Sequence, residues 1–68
     1  MDMVFCIYAT LGNGKSIDVY LKARNAIDAM RKFSANHGVP QNAEIYYDLD
    51  DGKLHGGWHF DGTKYNNK

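Results

Sequence analysis

The chain has 68 residues with one cysteine, and its eight Lys or Arg residues balance eight Asp or Glu residues. A chain this short forms one domain and buries only roughly 60% of its unfolded surface, which favours self-association. Zero net charge gives no general attraction for nucleic acid, and a lone cysteine excludes an internal disulfide. The N-terminus does not resemble a signal peptide, and the first apolar run is far shorter than the ~20 residues that span a bilayer. We therefore expect a cytoplasmic protein with no membrane partner.

The first predicted element is a β-hairpin, with β1 over residues 3–11 and β2 over residues 16–22. Both segments are rich in β-branched and aromatic residues, and Gly12-Asn13-Gly14 separates them. A three-residue loop with Gly14 in the left-handed region places apolar residues opposite one another: Ala9 with Ile17, Ile7 with Val19, and Phe5 with Leu21. A two-residue turn would place polar residues opposite apolar ones. The preferred register leaves a second set on the other face: Cys6, Tyr8, Asp18 and Tyr20.

The next predicted element is a helix, α, over residues 26–37. Asn25 is placed as its N-cap, and the Asp28 carboxylate can reach back to the cap and oppose the helix dipole. Apolar residues then recur at helical spacing: Ala26, Ala29, Met30 and Phe33. Gly38 and Pro40 end the helix. We interpret the charges on its outer side as a solvated surface: Arg24, Asp28, Arg31 and Lys32.

A second hairpin is predicted from β3 over residues 43–50 and β4 over residues 53–61, joined by an Asp51-Gly52 type I′ turn. That turn predicts four cross-strand pairs: Leu49 with Leu54, Tyr47 with Gly56, Tyr46 with Gly57, and Ile45 with Trp58. In this register each of the two tyrosines lies over a glycine. The same register points five polar or aromatic side chains away from the helix: Glu44, Tyr46, Asp48, His55 and His59.

Together these elements predict an α+β fold in the order β1-β2-α-β3-β4, a mostly antiparallel four-stranded sheet with one helix packed on one face. The domain spans residues 1–61, and residues 62–68 read as a flexible polar tail. Strand order is left open, because the connection through the helix allows several arrangements. The predicted core consists of residues on which the helix and strand patterns converge: Ile7, Val19, Phe33, Ile45, Leu49 and Trp58.

Catalytic and metal-binding motifs find little support in the sequence. His55 and His59 lie four residues apart in a strand, roughly 13 Å, which is too far to share one metal ion. The predicted register places Glu44 across from His59 and Asp48 across from His55, and either pair would supply only two metal ligands. Residues 12–16 resemble a phosphate-binding loop in letters alone, since a strand follows where a helix is required. Cys6 has no identifiable orienting group or oxyanion donor, so a buried or half-buried thiol is favoured over a nucleophile. We predict no cofactor, no metal and no enzyme; catalysis by His55, His59 or Cys6 is the least favoured alternative.

One helix can cover one face of the sheet, so the opposite face must meet solvent or a partner. We call this surface the tyrosine face, defined by Tyr8, Tyr20 and Tyr46 around Cys6. An acidic rim borders it, and the predicted partner-binding residues are Tyr8, Tyr20, Tyr46, Asp48, Asp50 and Asp51. Aromatic residues suit the centre of a protein interface or a platform on which bases stack. The neighbouring carboxylates disfavour phosphates and therefore favour a protein partner.

The expected function is a small protein-binding module that inhibits or adapts a larger partner, with a homodimer through the tyrosine face or an edge strand as a further assembly. The alternative is a sheet that binds single-stranded nucleic acid or RNA through exposed tyrosines. Small, cysteine-poor domains without motifs are common among phage and mobile-element proteins that block host machinery, including anti-defence inhibitors. That comparison is an analogy of size and type.

Overall fold

The computed structural model describes residues 2–48 and 53–67, and at positions 54, 65 and 67 it describes the backbone. The elements, in chain order, are β1 (Met3–Thr10), β2 (Ser16–Ala23), α1 (Ala26–His37), β3 (Asn42–Asp48), β4 (Leu54–Phe60) and β5 (Tyr65–Asn67). The strands form one sheet in the order β2-β1-β3-β4-β5, and each neighbouring pair is antiparallel. The predicted α+β class and the order β-β-α-β-β are confirmed.

The first hairpin has the predicted register. Ala9 pairs with Ile17, Ile7 with Val19, and Phe5 with Leu21. The loop closes through a bond from the Leu11 amide to the Lys15 carbonyl, 2.7 Å, and one from the Gly14 amide to the Leu11 carbonyl, 2.9 Å. Gly14 has φ +85°, the left-handed conformation that a three-residue loop requires.

Helix α1 begins and ends at the predicted residues. The Asn25 side-chain oxygen accepts a hydrogen bond from the Asp28 amide at 2.8 Å, and the Asp28 carboxylate accepts one from the Arg24 amide at 3.1 Å. These bonds satisfy amides at a terminus that has no intrahelical partners for them. The bond from Arg24 is the main reason that the pKa of Asp28 is lowered. At the other end the Gly38 amide donates to the Ser34 carbonyl at 2.9 Å.

The core lies between α1 and the first three strands of the sheet. Its largest fully buried side chains on this side are Phe5, Ile7, Met30, Phe33 and Ile45. Of the predicted core, Phe33, Ile7 and Ile45 are confirmed as buried, whereas Val19 and Trp58 are half-buried and pack against it. Val19 lies on the edge strand β2, which has a neighbouring strand on one side only, whereas Trp58 lies on β4 between β3 and β5.

The predicted register of the second hairpin is correct at one end only. Ile45 pairs with Trp58 as predicted, but Tyr47 pairs with His55 and Asp48 with Leu54, instead of Tyr47 with Gly56. An extra residue in β4 causes this shift, because Gly56 and Gly57 have φ +70° and +145° and accommodate a bulge. The ring of Tyr47 still lies over Gly56, where an added Cβ would collide with it.

The bulge also changes the face of His55. The prediction that His55 points away from the helix is wrong, because its ring lies 6.0 Å from that of Tyr47, which packs on the core side. A one-residue shift reverses the face of every following side chain. The predicted pairing of His55 with Asp48 is therefore also wrong, since Asp48 pairs with Leu54.

The sheet has one strand more than the sequence predicts. Residues 65–67, within the segment read as a polar tail, pair with β4 as the short strand β5. The turn before β5 is organised by the Asp61 carboxylate, which accepts bonds from the Thr63 amide and hydroxyl and from the Lys64 amide at 2.8–2.9 Å. These hydrogen bonds lower the pKa of Asp61 to about 2, and the bond from the Lys64 amide contributes most. Leu49, Asp50, Asp51 and the Asp51-Gly52 turn lie outside the described residues.

Phe33 provides a test of the core. Replacing this fully buried ring with alanine leaves a cavity beneath α1, so Phe33→Ala should lower the free energy of unfolding by about 3 to 5 kcal/mol in chemical denaturation. Ile27 on the same helix is 58% exposed. Ile27→Ala is the control and should change stability by only about 0.5 kcal/mol. Equal losses in the two variants would contradict the assigned core.

Gly14 and Gly12 form a matched pair in one loop. An added Cβ meets nothing within 4 Å at either position, and only Gly14 has a positive φ. Gly14→Val should therefore cost at least about 1 kcal/mol through backbone strain alone, as measured by thermal and chemical denaturation. Gly12→Val should cost distinctly less. A silent Gly14→Val variant would mean that the loop has another conformation.

Candidate functional site

The tyrosine face is built from side chains that alternate along three adjacent strands. In the middle row Cys6 of β1 has Tyr20 of β2 on one side and Tyr46 of β3 on the other. In the next row Tyr8 lies between Asp18 and Glu44. The sheet register therefore brings together the three predicted tyrosines.

Cys6 lies at the centre of this surface and is nevertheless only 1% exposed. Tyr8 is 37% exposed and Tyr20 is 67% exposed, so these rings border the thiol and still present area to solvent. The Tyr8 and Tyr46 rings meet edge to face, with centroids 5.9 Å apart at 66°. This geometry suits the quadrupoles of the two rings and holds them as one unit. This burial agrees with the prediction that the thiol is buried or half-buried.

The Cys6 thiol also tunes the two more exposed tyrosines. A hydrogen bond to Cys6 raises the pKa of Tyr8 to about 12, with charge interaction with Cys6 and desolvation adding to it. The same hydrogen bond raises the pKa of Tyr20. Because both shifts favour the neutral phenol, the two hydroxyl groups keep their protons throughout the physiological range. These two exposed rings are therefore uncharged in that range.

The border of the tyrosine face carries charge. Three carboxylates lie on it, from Asp18, Glu44 and Asp48, against one ammonium group, from Lys22. Asp18 and Lys22 are exposed and Asp48 is half-buried. The outer side of α1 has the opposite balance, because Arg24, Arg31 and Lys32 outnumber Asp28. The two sides of the domain thus differ in sign although the chain as a whole is neutral.

Glu44 and His59 pair across β3 and β4, as the sequence predicts. The Glu44 Oε1 and His59 Nδ1 atoms lie 3.0 Å apart, and both side chains are partly exposed. A carboxylate that accepts from one ring nitrogen fixes the orientation of the ring. Among the described residues no three His, Cys, Asp or Glu side chains come close enough together to bind a metal ion.

Of the predicted partner-binding residues, Tyr8, Tyr20, Tyr46 and Asp48 share the tyrosine face, whereas Asp50 and Asp51 lie outside the described residues. The prediction missed Val4, which is half-buried and lies between Lys22 and Asp48 in the third row of the face. Strict alternation along β1 could have identified it, because Val4, Cys6 and Tyr8 are two residues apart.

A cleft on the helix side was also missed. It has a volume of about 390 Å³ and lies between the N-terminus of α1 and β4, lined by Asn25, Ala26, Ile27 and Trp58. Its apolar lining comes from Ile27, which α1 turns away from the core, and from the half-buried ring of Trp58. Sequence patterns contain no signal for it, since it depends on how far α1 extends across the sheet.

The influence of Cys6 on Tyr8 can be measured by an alkaline titration. With Cys6→Ala the ionisation of Tyr8 should move from about pH 12 toward 10, its ordinary value, as followed through the Tyr8 ring resonances in NMR spectra. Because the folded pKa is the higher one, the contribution of Tyr8 to stability is complete below pH 10 and is lost as the pH rises through about 12. Tyr47→Phe, on the other face, should leave Tyr8 unchanged. Retention of the high value in Cys6→Ala would exclude the thiol as its cause.

Comparisons of the chain with protein-family models, with curated proteins and with solved structures find no significant match. Within the described ranges, no helix combines the length and apolar character needed to span a bilayer. What the protein binds must therefore be inferred from the chemistry of its own surfaces, and the tyrosine face is the surface with the most pronounced chemistry.

Proposed function

We propose that this protein is a non-enzymatic protein-binding module, and that it inhibits or adapts a larger partner by occupying part of that partner's surface with the tyrosine face. The observation that carries the proposal is the exposure of Tyr8 and Tyr20, at 37% and 67%, around a central thiol that is itself buried. Tyrosine gives a large contact area at a low cost in side-chain entropy, and it is enriched among the residues that dominate protein interfaces.

The arrangement of the tyrosines supports a preformed contact surface. Tyr8 is held by its edge-to-face contact with the ring of Tyr46. Side chains that are ordered before binding lose less freedom when the partner arrives, and this increases affinity for a given area. Because the residues lie on three paired strands, the backbone beneath them is equally fixed.

Charge on the border indicates which partner fits. Asp18, Glu44 and Asp48 flank the rings, so a complementary surface would present Lys or Arg around an apolar or aromatic centre. The same carboxylates would repel the phosphates of a nucleic acid, whose binding depends on neutralising cations. This argues for a protein partner and against base stacking on the same tyrosines.

The shape of the face supports binding rather than catalysis. Catalytic groups commonly lie in a concave pocket that excludes water. Cys6 and the Glu44–His59 pair belong to the exposed side of a sheet, and the cleft beside Trp58 opens on the opposite side, next to α1. The Glu44–His59 pair is interpreted as a cross-strand contact that stabilises the border of the tyrosine face.

Truncating two tyrosines tests the proposal. Tyr8→Ser combined with Tyr46→Ser should weaken capture of the partner from an extract of the source cells by at least roughly tenfold, as expected when central aromatic anchors are removed. Circular dichroism should show an unchanged fold, because both side chains lie outside the core beneath α1. Arg24→Ser combined with Arg31→Ser, on the helix side, is the matched control and should retain capture.

Salt dependence separates the border from the centre. Asp48→Asn should slow association mainly at low ionic strength, since border charges steer an encounter and are screened by salt. A labelled single-stranded oligonucleotide, followed by fluorescence anisotropy, should not bind. Full capture by the double tyrosine variant, or oligonucleotide binding that this variant abolishes, would overturn the proposed function.

A further inference from the structure

The strand β2 forms one edge of the sheet. It is eight residues long, Ser16–Ala23, and within the described part of the chain no strand lies beyond it. An exposed edge of this length displays backbone amides and carbonyls that can pair with another strand.

The direction of each backbone group follows from the hairpin. The bond from the Leu11 amide to the Lys15 carbonyl makes this a hydrogen-bonded pair, so Ile17, Val19 and Leu21 bond to β1 and the alternate residues do not. Ser16, Asp18, Tyr20 and Lys22 therefore direct their amides and carbonyls outward. Consistent with this, the Lys32 ammonium group reaches the Lys22 carbonyl from the helix at 2.9 Å.

The two faces of this edge differ in character. On the tyrosine face it carries three exposed side chains: Asp18, Tyr20 and Lys22. On the helix side it carries three half-buried apolar side chains: Ile17, Val19 and Leu21. A second strand laid along β2 would cover that apolar row as well as satisfy the outward backbone groups.

We propose that two copies of this chain pair through their β2 strands, antiparallel and about a two-fold axis at Tyr20, to form one continuous sheet. In this register Tyr20 faces its counterpart, and Asp18 of each copy faces Lys22 of the other. On the helix side Val19 of each copy then faces Leu21 of the other. Opposite charges and apolar residues directly across an antiparallel pair both stabilise it.

Neighbouring registers lack this complementarity. Two β2 strands can form backbone hydrogen bonds only where outward-directed residues of one copy lie opposite outward-directed residues of the other. The two-fold axis can therefore lie at any residue of the strand, and each residue gives a different register. An axis at Asp18 or at Lys22 brings like charges together, and an axis at Val19 or Leu21 places Tyr20 opposite a charged residue. The axis at Tyr20 alone matches both charges.

Charge reversal tests the register in the full chain. The unaltered protein should be dimeric by light scattering, and Asp18→Lys or Lys22→Asp alone should raise the dimer dissociation constant by roughly tenfold or more. Combining both substitutions in one chain should restore the dimer. Mixing the two single variants should also yield a mixed dimer, because each cation then meets a carboxylate. A monomeric unaltered protein, or a dimer indifferent to all of these changes, would overturn the proposal.

Cross-linking gives an independent measure of the same geometry. In a Cys6→Ala background, which removes the thiol directly across from position 20, Tyr20→Cys should form a disulfide-linked dimer under mild oxidation, since the two positions face each other within reach of a disulfide. Ser16→Cys in the same Cys6→Ala background, on the same strand and face, lies far from its counterpart in this register and should remain monomeric on a non-reducing gel. Equal cross-linking at both positions would exclude the proposed axis. The dimer does not depend on the proposed partner, so either can fail alone.

Discussion

The strand β1 carries side chains that are buried on both of its faces, and the remainder of the structure is arranged around this constraint. Phe5, Ile7 and Ala9 pack beneath α1, while Cys6 is covered from the other side. Because β1 lies between β2 and β3 it has no free edge, and solvent can reach it only from the two faces of the sheet. The tyrosines that border Cys6 must come from β1 itself and from its two neighbours, which is why they form one cluster.

The second constraint is the width of the sheet relative to the helix. Five strands at about 4.8 Å spacing place the outer strands roughly 19 Å apart, whereas a helix with its side chains is about 10 Å across. Helix α1 therefore covers only part of one face. Beyond its reach Trp58, Tyr47 and His55 pack on one another, with Tyr47 centroids 5.8 Å and 6.0 Å from the other two rings. The half-buried state of Trp58 and the cleft beside it follow from this geometry.

Elements that depend on local sequence alone were predicted correctly. The helix bounds follow from Asn25 and Gly38, and the register of the first hairpin follows from apolar alternation plus one left-handed glycine. The predicted register of the second hairpin was wrong beyond Gly56-Gly57. Consecutive glycines allow a bulge, and they have no side chains whose alternation would reveal it. Strand β5 was missed for another reason: it is very short, and it follows a turn that the Asp61 carboxylate organises. A three-residue strand has no periodicity to detect.

Alternation along the strands predicted which residues lie on the tyrosine face, but it could not predict how far the Cys6 thiol is buried. Tyr8, Tyr20 and Tyr46 were assigned to one face from the pattern of the strands, yet the order β2-β1-β3 was needed to bring Tyr46 beside Cys6. Had β3 paired with β2 instead, Tyr46 would lie beside Tyr20 and the thiol would be exposed on one side. Strand order depends on the connection through α1, which is a tertiary property that local patterns do not encode.

Tyr20 belongs both to the tyrosine face and to the edge, and this links the two proposals physically. Pairing of two β2 strands would join two tyrosine faces across the axis without covering Tyr8 or Tyr46, since ladder bonds lie in the plane of the sheet and the rings project from it. The joined surface would present two equivalent binding sites in a fixed geometry. A partner with a repeated basic epitope would then gain affinity through effective concentration, with no additional contact in either site. A sheet edge that pairs with itself would also be closed to pairing with other chains, which limits the aggregation that an exposed eight-residue edge otherwise invites.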